Sequence, residues 1–147
     1  MKKVVMRNDH LLPEVARLVA EGESVNIKTK GCSMLPFIHG GKDSVVLVKA
    51  EDVKPMDIVL AEVSEGMFVL HRVMEIKDGY VVLMGDGNIR GRERCRKDKV
   101  LAKAVSIEKD GKSIDCCSRG HVFKARVWRF LLPLRRYLLA IYRRLFK

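Results

Sequence analysis

Carboxylates are missing from one end of this chain. None occurs after Cys117, whereas Arg119, Lys124, Arg126, Arg129, Arg135, Arg136, Arg143, Arg144 and Lys147 are all basic. These nine residues supply most of the net charge of +11 and leave about +2 for the rest. Apolar runs are also short. None reaches the roughly 20 residues that span a bilayer, and Met1 to Met6 has no small-residue cleavage site, so no membrane span or export signal is expected there. Cysteine is sparse as well: Cys32, Cys95, Cys116 and Cys117 form neither a zinc-type C-x-x-C pair nor a regular disulfide framework. That pattern fits a reduced, cytoplasmic setting, and a disulfide between the adjacent Cys116 and Cys117 would be strained. Internal repeats and low-complexity tracts are absent.

A chain of 147 residues, 48% hydrophobic, fits one catalytic core with appendages. Residues 1–23 form a helical segment, 24–117 a β core and 118–147 a basic tail. In the first, Asp9 to Glu21 reads as a short helix: Asp9 caps it, Pro13 sits in its first turns, and Leu11, Leu12, Val15, Leu18 and Val19 share a stripe. It is too short for a helix-turn-helix domain. From Ser24 the pattern changes to strands. Val25 to Thr29 and much of Phe68 to Ile76 alternate, and Val45 to Val48, Ile58 to Val63, Tyr80 to Met84 and Val100 to Ile107 are rich in β-branched or apolar residues. Gly40-Gly41, Pro55, Glu65-Gly66, Asp78-Gly79 and Asp110-Gly111 punctuate them. The expected fold is mainly β, an antiparallel coiled sheet or partly open barrel.

Two short strings carry chemistry, Gly31-Cys32-Ser33-Met34-Leu35-Pro36 and His71-Arg72-Val73. A serine hydroxyl becomes a nucleophile at neutral pH when a nearby base takes its proton, and His71 is the best candidate base for Ser33. Gly31 permits a tight approach to Ser33 and Pro36 fixes the chain after it, which suits a rigid nucleophile loop. The Ser33 amide is the natural first oxyanion donor. Cys32 points away from Ser33 on an extended chain, so it is only a minor candidate nucleophile.

The order G-C-S-M-L-P-F-I, K-D-S-V-V-L-V, K-P-M-D-I-V-L-A, F-V-L-H-R-V and L-M-G-D-G-N resembles the boxes of the signal peptidase I clan of serine peptidases, from about Thr29 to Glu108. The resemblance implies a β fold of the signal peptidase and LexA type. It implies Ser33 as nucleophile and His71 as general base, as in the branch with His rather than Lys before Arg-Val. Met34 and Arg72 flank that site. Members of that branch carry an Asp just beyond the last box, which this chain lacks, so a Ser/His dyad is expected. Asp86, within the box, either stabilises its turn or orients His71. Where many members have a second oxyanion hydroxyl, this chain has Gly31. The implied activity is endoproteolysis of a leader or precursor peptide, bound as an added strand and cut without any cofactor. A catalytically inactive peptide-binding module on the same scaffold is the alternative.

In the tail, a helix from Leu134 sets Arg135, Arg136, Arg143 and Arg144 on one half of the wheel. Leu138, Ile141, Tyr142, Leu145 and Phe146 occupy the other half. Val127, Trp128, Phe130, Leu131 and Leu132 add an apolar patch before a break at Pro133. The tail is expected to lie on an anionic membrane at its cytoplasmic face, through Arg126, Trp128, Arg129, Arg135, Arg136, Arg143 and Arg144, with Trp128 at headgroup depth. Packing on the β core or in a partner's groove remains open. Nucleic acid would be attracted by the charge, but no binding motif accompanies it.

Overall fold

Alternation is sharpest in the strand Ile58–Ser64, where Ile58 and Leu60 join one buried cluster and Val59 and Ala61 another. A strand buried on both faces belongs in the middle of a curled sheet, and that is its place. The computed structural model describes the backbone of residues 2–5, 11–29, 31 and 33–145, with side chains at 13–29, 31 and 33–145. Among these residues nine strands form one sheet: β1 (Lys2–Val5), β2 (Val25–Lys28), β3 (Ser44–Lys49), β4 (Ile58–Ser64), β5 (Met67–Lys77), β6 (Tyr80–Met84), β7 (Glu93–Arg96), β8 (Val100–Lys109) and β9 (Lys112–Asp115). The order is β1-β2-β3-β8-β4-β5-β6-β7, with β9 paired to β8. Only the β1–β2 pair is parallel. The sheet curls strongly into a half-barrel, the mainly β architecture expected.

The hairpins follow from turn chemistry. Asp78-Gly79 and Asp110-Gly111 both have positive φ at each residue, the conformation that two-residue I′ turns demand and that Asp-Gly accommodates. Helix α1 (Leu11–Ala20) buries Val15, Leu18 and Val19 among Val25, Ile27, Val45 and Leu47. It stops where Gly22, at positive φ, donates to Val19 O and Glu23 donates to Leu18 O. Asp9, the expected cap, lies outside the described residues. Strands β1, β7 and β9 were not anticipated from the pattern.

The tail folds as α2 (Arg119–Phe130), a 3-10 turn at Leu132–Leu134 and α3 (Arg135–Leu145). The break falls at Pro133, as expected. Ser118 caps α2 by accepting the His121 N–H at 3.2 Å. His121, Ala125, Arg135 and Leu139 are buried, so one side of the tail packs on the rest of the protein. Tyr142 shares a hydrogen bond with His39 Nε2, and the His39 N–H in turn reaches buried Asp43, which also binds Lys109. Among the described residues no helix is long and apolar enough to cross a membrane.

Candidate active site

His71 lies on β5 opposite Val59 of β4, near the end where β5 meets the last residue of β6 through the pair Arg72 and Met84. Strand alternation separates the neighbours. His71 shares a face with Val59 and Val73, and Arg72 points to the other face with Ile58. The next register positions, Val73 with Leu83 and Leu83 with Glu93, carry the His71 face across β6 to Glu93. There Glu93 Oε1 and His71 Nδ1 form a hydrogen-bonded pair. His71 is buried and Glu93 is partly exposed. With Nδ1 held by a carboxylate, Nε2 is the ring nitrogen left to act as a base.

This pairing corrects the role considered for Asp86. Its carboxylate is occupied by Arg72, with Nε to Oδ1 at 2.9 Å and Nη2 to Oδ2 at 2.8 Å. Arg72 Nη1 also donates to Met56 O at 2.7 Å, and its guanidinium lies 4.9 Å from the Phe37 ring centroid. Arg72 is 2% exposed and Asp86 likewise 2%, so this is a buried ion pair behind the site. Glu93 was missed because it sits in the arginine-rich string Arg92-Glu93-Arg94-Cys95-Arg96, which reads as a solvated run. Its signal was the alternation within that string, which sets Glu93 and Cys95 on the face opposite the arginines.

Ser33 enters from the loop after β2. Gly31 has φ of 83°, as its proposed tight turn requires, and residues 34–38 make a single turn in which Phe37 and Ile38 N–H both reach Met34 O. Met34 and Ile38 anchor that turn in the core. The main chain of Ser33 is fixed from the other side by the turn after β6: Gly87 N–H donates to Ser33 O at 2.8 Å. A Cβ at Gly85 would stand 2.3 Å from the same oxygen. The Ser33 backbone therefore occupies the space that a side chain at residue 85 would take, in the turn that follows Met84, the partner of Arg72. No hydrogen bond joins Ser33 Oγ to His71 among the described residues. Cys32 lies outside the described residues.

The tail completes the back of this turn. Trp128 Nε1 donates to Asp86 O at 2.8 Å, and Arg135 donates to Asn88 O at 3.1 Å and Gly85 O at 3.4 Å. Arg135 also stacks on Trp128 with its guanidinium carbon 5.1 Å from the ring centroid. Both residues were expected on the membrane-facing surface; instead their side-chain donors turn inward to carbonyls of the 85–88 turn. Burial and then the Arg72 charge lower the pKa of His121, and its Nε2 lies 3.5 Å from Arg72 Nη1. Burial pushes the Cys116 thiol up to about 12 and also raises Cys95, so neither is an activated nucleophile. Among the described residues no cluster of three His, Cys, Asp or Glu side chains could hold a metal ion. The chain matches no protein-family model and no curated protein.

Proposed function

We propose that this chain is a signal peptidase-like serine endopeptidase that cuts a leader or precursor peptide. The observation that carries the reading is the Glu93–His71 pair beside the turn that holds the Ser33 main chain. In the proposed cycle His71 Nε2 takes the Ser33 proton as Oγ attacks the peptide carbonyl. The Ser33 amide stabilises the oxyanion, and Glu93 holds the Nδ1 proton and balances the imidazolium. His71 then protonates the leaving amine, and water releases the acyl group by the reverse sequence. In this reading Glu93 adds an orienting acid to the Ser33/His71 dyad expected from sequence.

The test is mass spectrometry of a library of leader-like peptides incubated with wild type, Ser33→Ala, His71→Ala and Glu93→Gln in detergent or anionic vesicles. Defined cuts that vanish with Ser33→Ala and His71→Ala, and a kcat reduced about 10³ to 10⁴-fold in Glu93→Gln, are expected. The missing Ser33–His71 hydrogen bond favours a second reading, a peptide-binding module. Peptides retained by wild type but never cut would select it.

A further inference from the structure

The two C-terminal helices carry two seams of different destination. The inner seam runs through His121, Ala125, Trp128, Arg135, Leu139 and Tyr142, and its contacts are with the β core and the turn at residues 85–88. The outer seam, on the opposite side of the helices, runs through Phe123, Val127, Phe130, Leu134, Tyr137 and Ile141, at alternating spacings of four and three. Leu145 extends it. Every one of these large side chains is exposed, and Phe130 is 84% exposed. Spacings of four and three keep residues on one side of a helix, so α2 and α3, on either side of the turn at Pro133, each carry a stretch of this exposed apolar ridge. Exposed apolar side chains aligned on one side and rimmed by charge mark an interaction surface.

The flank of the ridge selects its partner. Arg126, Arg129, Arg136 and Arg144 are exposed beside it, and no carboxylate occurs after Asp115. Arg126 and Arg129 join Lys54, Pro55, Met56 and Phe130 around an open cavity of about 670 Å³. Arg90 and Arg136 share a second cavity, of about 390 Å³, with Tyr137. Each cavity sets cations against an apolar wall, the chemistry of a lipid phosphate above its acyl chains. A second copy of this chain would bring arginine row against arginine row with no carboxylate between them. A polynucleotide would engage the arginines and leave the ridge in water.

We propose that the outer seam docks on an anionic lipid bilayer while the inner seam stays on the 85–88 turn. The ridge enters the interface, the arginines meet phosphates, and the Ser33 loop is held at the membrane surface by the same helices. Docking does not depend on hydrolysis, and Ser33→Ala is expected to bind vesicles as wild type does.

The experiment is co-sedimentation of the full chain with phosphatidylglycerol and with phosphatidylcholine vesicles, repeated in high salt. Binding to the anionic vesicles that weakens with salt is expected. The triple variant Arg126→Gln, Arg129→Gln, Arg136→Gln should bind on the order of 100-fold more weakly. Phe130→Ser, Tyr137→Ser, Ile141→Ser together should weaken binding on the order of 100-fold or more. All six positions are exposed, so unchanged circular dichroism is expected. Brominated phosphatidylglycerol then reports which seam inserts: Trp128, the chain's only tryptophan, should remain unquenched, and Phe130→Trp in a Trp128→Phe background should be quenched. Quenching of Trp128 would mean that the tail leaves the core, and would overturn the proposal. So would equal binding to both vesicles with no effect of the arginine changes, or no vesicle binding with a dimer in sedimentation velocity that the ridge variant abolishes.

Discussion

Replacing Asp86 by Asn should unfold this protein far more readily than it impairs any chemistry. Arg72 is buried with three interactions of its guanidinium on the Asp86 carboxylate, one on Met56 O and a ring face at Phe37. Asn preserves shape but removes the charge, leaving a buried guanidinium without its counter-ion. Breaking a buried pair from one side costs about 3–5 kcal/mol. For a chain of this size each kcal/mol lowers the melting temperature by a few degrees, so a fall of roughly 6–20 °C is expected. Glu93→Gln provides the control: Glu93 is a partly exposed carboxylate whose loss should change stability by about 1 kcal/mol or less. Thermal denaturation followed by circular dichroism separates the two. If Asp86→Asn melts with wild type while Glu93→Gln melts far below it, the assignment of Asp86 to structure and Glu93 to His71 is wrong.

Gly85→Ala places a Cβ 2.3 Å from Ser33 O and 2.8 Å from the Asn88 amide; it should destabilise by about 1–3 kcal/mol and abolish cleavage by displacing the nucleophile loop, read by melting and by peptide assay. Leu139→Ala, on the inner seam, should lose about 2–5 kcal/mol in urea denaturation, whereas Ile141→Ala, on the outer seam, should stay within about 0.5 kcal/mol. Asp43 gives a pH signature. Burial pushes its carboxyl up, but the Lys109 hydrogen bond, the His39 N–H and the charges of both outweigh this and hold it below the ordinary aspartate value. A depressed folded pKa means stability that is fully present above the unfolded value and lost as pH falls through the folded one. The stability gap between wild type and Asp43→Asn should therefore be constant near neutrality and close below the ordinary aspartate range in acid titrations of unfolding.

Local patterning made much of this fold legible. Asp78-Gly79 and Asp110-Gly111 specify their turns, the alternation in β4 and β5 specifies their faces, and Pro133 specifies the helix break. Strands β7 and β9 are four residues each and polar, so their pairing rests on neighbours rather than on their own sequence. Glu93 was hidden for the same reason: its approach to His71 depends on two registers, β5 with β6 and β6 with β7, including an irregularity between Val73 and Glu75. The wheel of the tail separated polar from apolar residues but not inside from outside. Arg135 goes inward because carbonyls on a distant turn accept its protons, a tertiary fact that overrides the usual exposure of arginine.

That turn explains why two buried guanidiniums can share the vicinity of one carboxylate. Arg72 takes both oxygens of Asp86, so Arg135 has no direct anionic partner there, and burial lowers its pKa against the opposing pull of the Asp86 charge. Its compensation comes from dipoles: the carbonyls of Gly85, Asn88 and Trp128 all accept from it. An arginine holds its charge in such a setting, where a lysine would be far easier to neutralise, and its planar fork reaches several acceptors at once. The same turn gives its Gly87 N–H to Ser33 O and its Asp86 carbonyl to Trp128. The Ser33 loop, the buried ion pair and the tail helices thus meet on residues 85–88. Trp128 and Arg135 thus tie the tail helices to the turn that holds the Ser33 main chain.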